Sequence, residues 1–128
     1  MTWHLSIKGG FAAAHRIIGC GGKCESIHGH NFRVVLAVQG EKLDDSGMLL
    51  DFGILKKVLA KALAPLDHCD LNQCPAFSGM SPSSENIARY VCGVASRELT
   101  GTGVLVCSVT VSESETASAT YYPEENGI

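Results

Sequence analysis

Apolar residues recur at Ile54, Leu55, Val58, Leu59, Ala62 and Leu63. That spacing of three and four places them on one face of a helix. Asp51 stands where an N-cap would precede the run, so the pattern predicts a helix over 52–63. A second helix start is written into Ser81-Pro82-Ser83-Ser84-Glu85. It offers hydroxyls for capping, a proline, and an early acid facing the positive end of the helix dipole. This helix is expected to run to about residue 98. Elsewhere the pattern changes. Asn31-Phe32-Arg33-Val34-Val35-Leu36-Ala37-Val38-Gln39-Gly40-Glu41 is rich in β-branched residues and reads as a long strand. Residues 4–14 read as the strand before it, with 104–114 and 117–122 as two more. Leu43-Asp44-Asp45-Ser46-Gly47 is a turn, and 65–82 is expected to be mostly loop.

The order β-β-α-α-β-β, with hairpin-like pairs at each end, predicts an α+β fold. The expected arrangement is a four-stranded antiparallel sheet with two helices on one face. The other sheet face then needs a cover, which in a small chain often means oligomerisation. No internal repeat or linker interrupts the 128 residues, so a single domain over 1–128 is expected.

Composition narrows the class. Net charge is −3 and no run of Lys or Arg exceeds two, which gives no support to a nucleic-acid or anionic-membrane partner. No apolar run reaches the roughly eighteen residues of a membrane span. Met1-Thr2-Trp3-His4-Leu5-Ser6-Ile7-Lys8 lacks a charged region followed by an apolar stretch, so a cytoplasmic protein is expected. The six cysteines, at 20, 24, 69, 74, 92 and 107, are therefore expected to be reduced. Cys92 and Cys107 lie in apolar runs and are expected to be buried as small hydrophobes.

The chemistry concentrates in three of the five histidines. His28-Gly29-His30 on an extended strand puts both imidazoles on one face. His15, from a neighbouring strand, completes a facial set of three. That is the ligand count of a catalytic zinc site, with a fourth position open. His4 stands alone near the terminus. Cys24, four residues before His28, is a candidate base or nucleophile, because a thiol near a metal or an imidazolium ionises more readily. A fourth, structural zinc ligand or an inert thiol are the other readings, and Cys20 competes for the same role. Asp67-His68 can form an acid/base pair in which the carboxylate fixes the imidazole tautomer. Neighbours in sequence face each other only in a loop conformation; Asp70 could serve instead, and a plain surface loop pair is the alternative. Glu115, at the end of the third strand, can accept two parallel hydrogen bonds from an amino-pyrimidinone edge. Glu113, two residues earlier, shares its strand face.

Six segments, in order across nearly the whole chain, carry a resemblance. They are Phe11-Ala12-Ala13-Ala14-His15, Cys24-x-x-x-His28-Gly29-His30-Asn31-Phe32, Asp51-Phe52, Leu66-Asp67-His68-x-x-Leu71-Asn72, Ser83-Ser84-Glu85-Asn86 and Glu115-Thr116. Together they resemble the 6-pyruvoyl-tetrahydropterin synthase / 6-carboxy-tetrahydropterin synthase (QueD) family. The resemblance implies the tunnelling fold (T-fold), with trimers closing a barrel and two trimers stacking into a homohexamer. It implies 7,8-dihydroneopterin triphosphate as substrate and zinc as cofactor, held by His15, His28 and His30. Cys24 would move protons as a thiolate. Asp67 and His68 would be the second acid/base group, supplied to a neighbouring subunit's site. Glu115 would anchor the pterin ring, with Ser84 and Thr116 near it.

The three residues between Cys24 and His28 resemble the bacterial 6-carboxy branch, a lyase of queuosine and 7-deazapurine biosynthesis. Its products are 6-carboxy-5,6,7,8-tetrahydropterin, acetaldehyde and triphosphate. Glu25, directly after Cys24, resembles instead a branch that makes 6-hydroxymethyl-7,8-dihydropterin, where a glutamate replaces or accompanies the cysteine. A 6-pyruvoyl product and a non-catalytic structural-zinc pterin-binding protein are the remaining alternatives. Arg16, Lys23 and Arg33 lie near the motif, and nothing in the sequence selects a triphosphate partner among them.

Overall fold

The computed structural model describes residues 2–124. Strand β1 (Trp3–His15) and strand β2 (His28–Gly40) form one long antiparallel hairpin. Its register runs from Trp3 opposite Gly40 to His15 opposite His28. Helix α1 (Phe52–Leu63) follows, then a two-residue strand β3 (Cys69–Asp70), helix α2 (Ser84–Glu98), strand β4 (Leu105–Ser114) and strand β5 (Ala117–Tyr121). The sheet order is β3-β1-β2-β4-β5.

Both helices begin where side-chain oxygens are available to cap them. Asp51 accepts from the Gly53 N–H at 2.7 Å, and Ser83 Oγ accepts from the Asn86 N–H at 3.1 Å. The sheet differs from the expectation in one respect. It has five strands and is mixed, because β3 runs parallel to β1 beside Ala13 and Ala14. A two-residue strand is too short to show any period, and it lies within the stretch read as loop. The long strands also start or end differently. Both hairpin strands reach the histidines, so His15, His28 and His30 are strand residues.

Alternation along the strands places Ile7, Phe11, Phe32, Val34, Leu36, Val38, Val109 and Val111 on one buried face. Leu55, Val58, Leu59, Ala62 and Leu63 of α1 and Ile87, Ala88, Val91, Cys92 and Ala95 of α2 cover it. The opposite face carries exposed Ser6, Lys8, Asn31 and Arg33, and neither helix covers it. Phe11 and Phe32 stack with ring centroids 4.8 Å apart. The Phe32 ring then meets His15 and His30 edge-on at 5.3 and 5.4 Å. Phe32 is thus the last core residue before the histidines. Phe32→Ala is expected to cost about 3–5 kcal/mol in chemical denaturation, the range for deleting a buried aromatic ring. A loss well below 1 kcal/mol would contradict its place in the core.

The cysteine expectation is corrected at one pair. Cys20 and Cys24 form a disulfide, their Cα atoms 6.2 Å apart. Cys69, Cys74, Cys92 and Cys107 are free. Cys92 is buried as expected, whereas Cys107 is only half-buried. Among the described residues, no helix is long and apolar enough to cross a membrane.

Candidate active site

The hairpin register builds the histidine cluster. His15 faces His28 across the β1–β2 ladder, and paired residues share a sheet face. His30, two residues along, shares it too. The ring centroids lie 4.6 Å apart for His15–His28, 4.9 Å for His28–His30 and 5.4 Å for His15–His30. Their ligand atoms lie within 4.8 Å of one another.

Second partners aim these rings. His15 Nδ1 lies 2.8 Å from the Pro82 carbonyl oxygen. A carbonyl only accepts, so Nδ1 carries the proton and donates it. His28 Nδ1 donates in the same way to the Ser26 carbonyl at 2.7 Å. In the neutral form of each ring Nε2 is then the bare lone pair. His15 is fully buried, and its Nε2 has no hydrogen-bond partner. Leaving a buried polar atom unpaired costs about 1–3 kcal/mol. A cation among the three rings would satisfy that atom. Neutral imidazoles with a carbonyl behind them are the donor set that suits zinc. Burial pushes the His15 imidazole below its usual 6.5; His28 and His30 act in the same direction, while the Pro82 hydrogen bond and Glu113 oppose. The net effect keeps the ring neutral, the form that binds metal.

Glu113, read from the sequence only as sharing a strand face with Glu115, is the carboxylate nearest the histidines among the described residues. Its Oε1 is 3.7 Å from His15 Nε2 and its Oε2 is 3.7 Å from His30 Nε2. Ser84 Oγ, at the start of α2, donates to Glu113 Oε1 at 3.2 Å. Glu115 and Thr116 are exposed at the β4–β5 turn. The shared strand face of Glu113 and Glu115 was the available signal. The turn starts at Glu115, and the ladder breaks register between Ser112 and Ser114, so only the inner carboxylate reaches the histidines.

Asp67 and His68 do face each other. His68 Nδ1 is 3.0 Å from Asp67 Oδ2. The left-handed backbone of His68, with φ of 59°, supplies the loop conformation the pair needs. Asp67 Oδ1 accepts from the Ala12 N–H at 3.0 Å, and the His68 N–H donates to the Ala12 carbonyl at 2.6 Å. The Ala12 N–H, chiefly, holds the Asp67 carboxyl below its usual 3.8. This pair lies on the outer edge of β1 with His68 82 % exposed. Among the described residues, no hydrogen bond or ion pair joins it to the histidine cluster.

The connection from β1 to β2 carries Cys24 and is pinned from several sides. The Ile17 N–H donates to the Cys24 carbonyl at 2.6 Å. Asn72 grips Arg16 twice: its Oδ1 accepts from the Arg16 N–H at 2.8 Å and its Nδ2 donates to the Arg16 carbonyl at 3.1 Å. Ser81 Oγ accepts from the Ile18 N–H at 2.9 Å, and Asn86 Nδ2 holds the Ser81 carbonyl at 2.8 Å. The family model for 6-pyruvoyl tetrahydropterin synthase matches residues 4–124, which include every residue of this site. The chain belongs to the 6-pyruvoyl tetrahydropterin synthase family.

Curated relatives agree. A 6-carboxy-5,6,7,8-tetrahydropterin synthase from Synechocystis sp. is 35% identical over 125 residues, covering 94% of this chain and 93% of the relative. One from Rickettsia felis is 45% identical over 98 residues, covering 63% of this chain and 71% of the relative. The Caenorhabditis elegans 6-pyruvoyl tetrahydropterin synthase structure superposes with a TM-score of 0.86 at 27% identity, covering 97% of both chains. The chain is thus a tetrahydropterin synthase family enzyme on the tunnelling fold.

The geometry gives Asn72 a positioning task. Its two-bond grip sits one residue after a metal-ligand candidate. Asn72→Ala is expected to weaken zinc affinity about tenfold, at the low end of losses for outer-shell partners. Competition with a chromophoric chelator measures this; unchanged affinity would reduce Asn72 to a loop brace.

Proposed function

We propose that this protein is a zinc-dependent lyase acting on 7,8-dihydroneopterin triphosphate. Its products would be 6-carboxy-5,6,7,8-tetrahydropterin, acetaldehyde and triphosphate, within queuosine and 7-deazapurine biosynthesis. The observation that carries the reading is the buried, unpartnered Nε2 of His15, aimed among His28 and His30. The names of the Synechocystis and Rickettsia relatives support the 6-carboxy product.

Zinc held by His15, His28 and His30 would supply Lewis acidity that eases loss of a proton beside a substrate hydroxyl. Cys24, as a free thiolate, takes and returns that proton. Asp67 and His68 are exposed on the outer edge of β1 and, among the described residues, make no hydrogen bond or ion pair to their own subunit's histidine cluster. They serve a neighbouring subunit's site in a homohexamer of two stacked trimers, and the uncovered sheet face supports such an assembly. Glu115 takes the amino-pyrimidinone edge of the pterin, with Thr116 near it, because that edge lies across the bicyclic ring from the side chain that has to reach the histidines. Glu113, held by Ser84, lies 3.7 Å from His15 Nε2 and His30 Nε2 and so acts at the metal end of the site. Glu115→Gln is therefore expected to lower kcat/KM by about 10²-fold, the equivalent of one or two charge-assisted hydrogen bonds, with zinc affinity unchanged. An unchanged kcat/KM in Glu115→Gln would take the ring-anchoring role away from the strand end.

A second reading, with a 6-hydroxymethyl product, has one supporting observation. Glu25 follows Cys24 directly, and it is the base that remains while Cys24 is held in its disulfide. The deciding experiment is mass spectrometry of products from zinc-loaded, reduced protein and 7,8-dihydroneopterin triphosphate. Acetaldehyde with 6-carboxytetrahydropterin is expected. Metal-loaded protein that releases no acetaldehyde would remove the reading, and a 6-hydroxymethyl product lost in Glu25→Ala would put the second in its place.

A further inference from the structure

We propose that Cys20 is a resolving thiol, and that Cys20 with Cys24 forms a reversible oxidation site that withholds Cys24 from catalysis. The catalytic consequence rests on Cys24 being the proton carrier of the reading above; the thiol chemistry does not.

Five observations support it. The Cα separation of 6.2 Å lies within the range that a disulfide bridges without moving the backbone. The intervening Gly21 has φ of +76°, a left-handed turn that folds the five-residue segment back on itself. A Cβ built at Gly19, Gly21 or Gly22 would meet nothing within 4 Å, so small thiols and disulfides can approach. Cys20 is itself exposed and Cys24 half-buried. Both ends of the segment are anchored independently of the bridge, by Ile17 on Cys24 and by Asn72 on Arg16. Opening or closing the bridge therefore need not displace His15 or His28.

A purely structural staple is the weaker account. A loop this short removes little chain entropy when closed, and the four other cysteines are free thiols. The bridge instead takes up the thiol closest in sequence to the histidine pair. Glu25 is exposed and folds back on the same loop, its Oε1 accepting from the Gly21 N–H at 2.6 Å. In the oxidised loop the Cys24 sulfur is bridged, and the thiolate is lost.

The oxidant is a low-molecular-weight disulfide, RSSR. The Cys24 thiolate attacks one sulfur, forming a mixed disulfide and releasing RS⁻. The Cys20 thiolate then attacks the Cys24 sulfur and releases the second RS⁻. Two electrons pass from the cysteine pair to the reagent, and two protons leave with the thiols. A reduced thiol or a phosphine reverses the change.

The test uses zinc-loaded wild type and Cys20→Ser, each reduced and then treated with oxidised glutathione. Intact mass after thiol alkylation, zinc content and acetaldehyde release are read in parallel. Wild type should lose the alkylatable thiols of Cys20 and Cys24, carry no glutathione on either, keep its zinc and fall at least tenfold in activity. Reduction with a phosphine should restore it. Cys20→Ser should match reduced wild type before oxidation and then hold a persistent glutathione adduct on Cys24, because nothing resolves it. A persistent adduct on Cys24 in wild type, located by peptide mapping, would overturn the resolving role. An internal disulfide that leaves activity unchanged would overturn the withholding role. If reduced, zinc-loaded wild type releases no acetaldehyde, the lyase reading fails and takes the withholding role with it. The masses then still decide whether Cys20 resolves Cys24.

Discussion

His28→Ala is expected to lower zinc affinity by more than about 10²-fold, the ceiling for losing an outer-shell partner, and to bring kcat below detection. His28 is the best position for this experiment. It is half-buried at the start of β2 and its ring lies in the cluster, so removing it should leave the core intact. His15 is fully buried beside Phe32, and its loss would mix a packing defect with a missing ligand. Two remaining imidazoles cannot hold the ion with three-ligand geometry, and the unpartnered Nε2 of His15 stays unsatisfied. Chelator competition should show the affinity loss while far-UV circular dichroism stays unchanged. Tight zinc binding in the variant would mean that other groups hold the metal.

Cys24→Ser should behave in the opposite way. Zinc is retained and kcat falls by about 10²–10⁴-fold, the usual contribution of a positioned general base. A serine hydroxyl fills the same space but gives up a proton far less readily than a thiol. The comparison has to be made on reduced protein, because the bridge to Cys20 already removes the thiolate from wild type. Zinc and activity lost together would make Cys24 a fourth ligand and close the site. Zinc kept with full activity would pass the base to Glu25.

Helices and long strands could be read from the chain because their periods are long and their caps are explicit. Asp51 and Ser83 do what their positions suggested. The grouping of the three histidines was also legible, since the two imidazoles of a His-x-His on a strand share one face. Three features were not. β3 has two residues and gains its hydrogen bonds entirely from the edge of β1, so no local pattern marks it. Glu113 lies two residues from Glu115 on the same strand face; that the inner carboxylate is the one beside the histidines depends on the position of the β4–β5 turn. The Cys20–Cys24 bridge depends on a glycine turn, and reasoning from the redox state of the compartment pointed away from it.

The central claim is the metal held by three imidazoles. Crystals of the reduced, zinc-loaded protein, with data collected across the zinc absorption edge, test it most directly. An anomalous peak should lie between His15, His28 and His30, about 2.0–2.1 Å from each ligating nitrogen, with Cys24 Sγ outside bonding distance. A map with no peak among those rings, or with the peak on Cys20 and Cys24, would contradict the account.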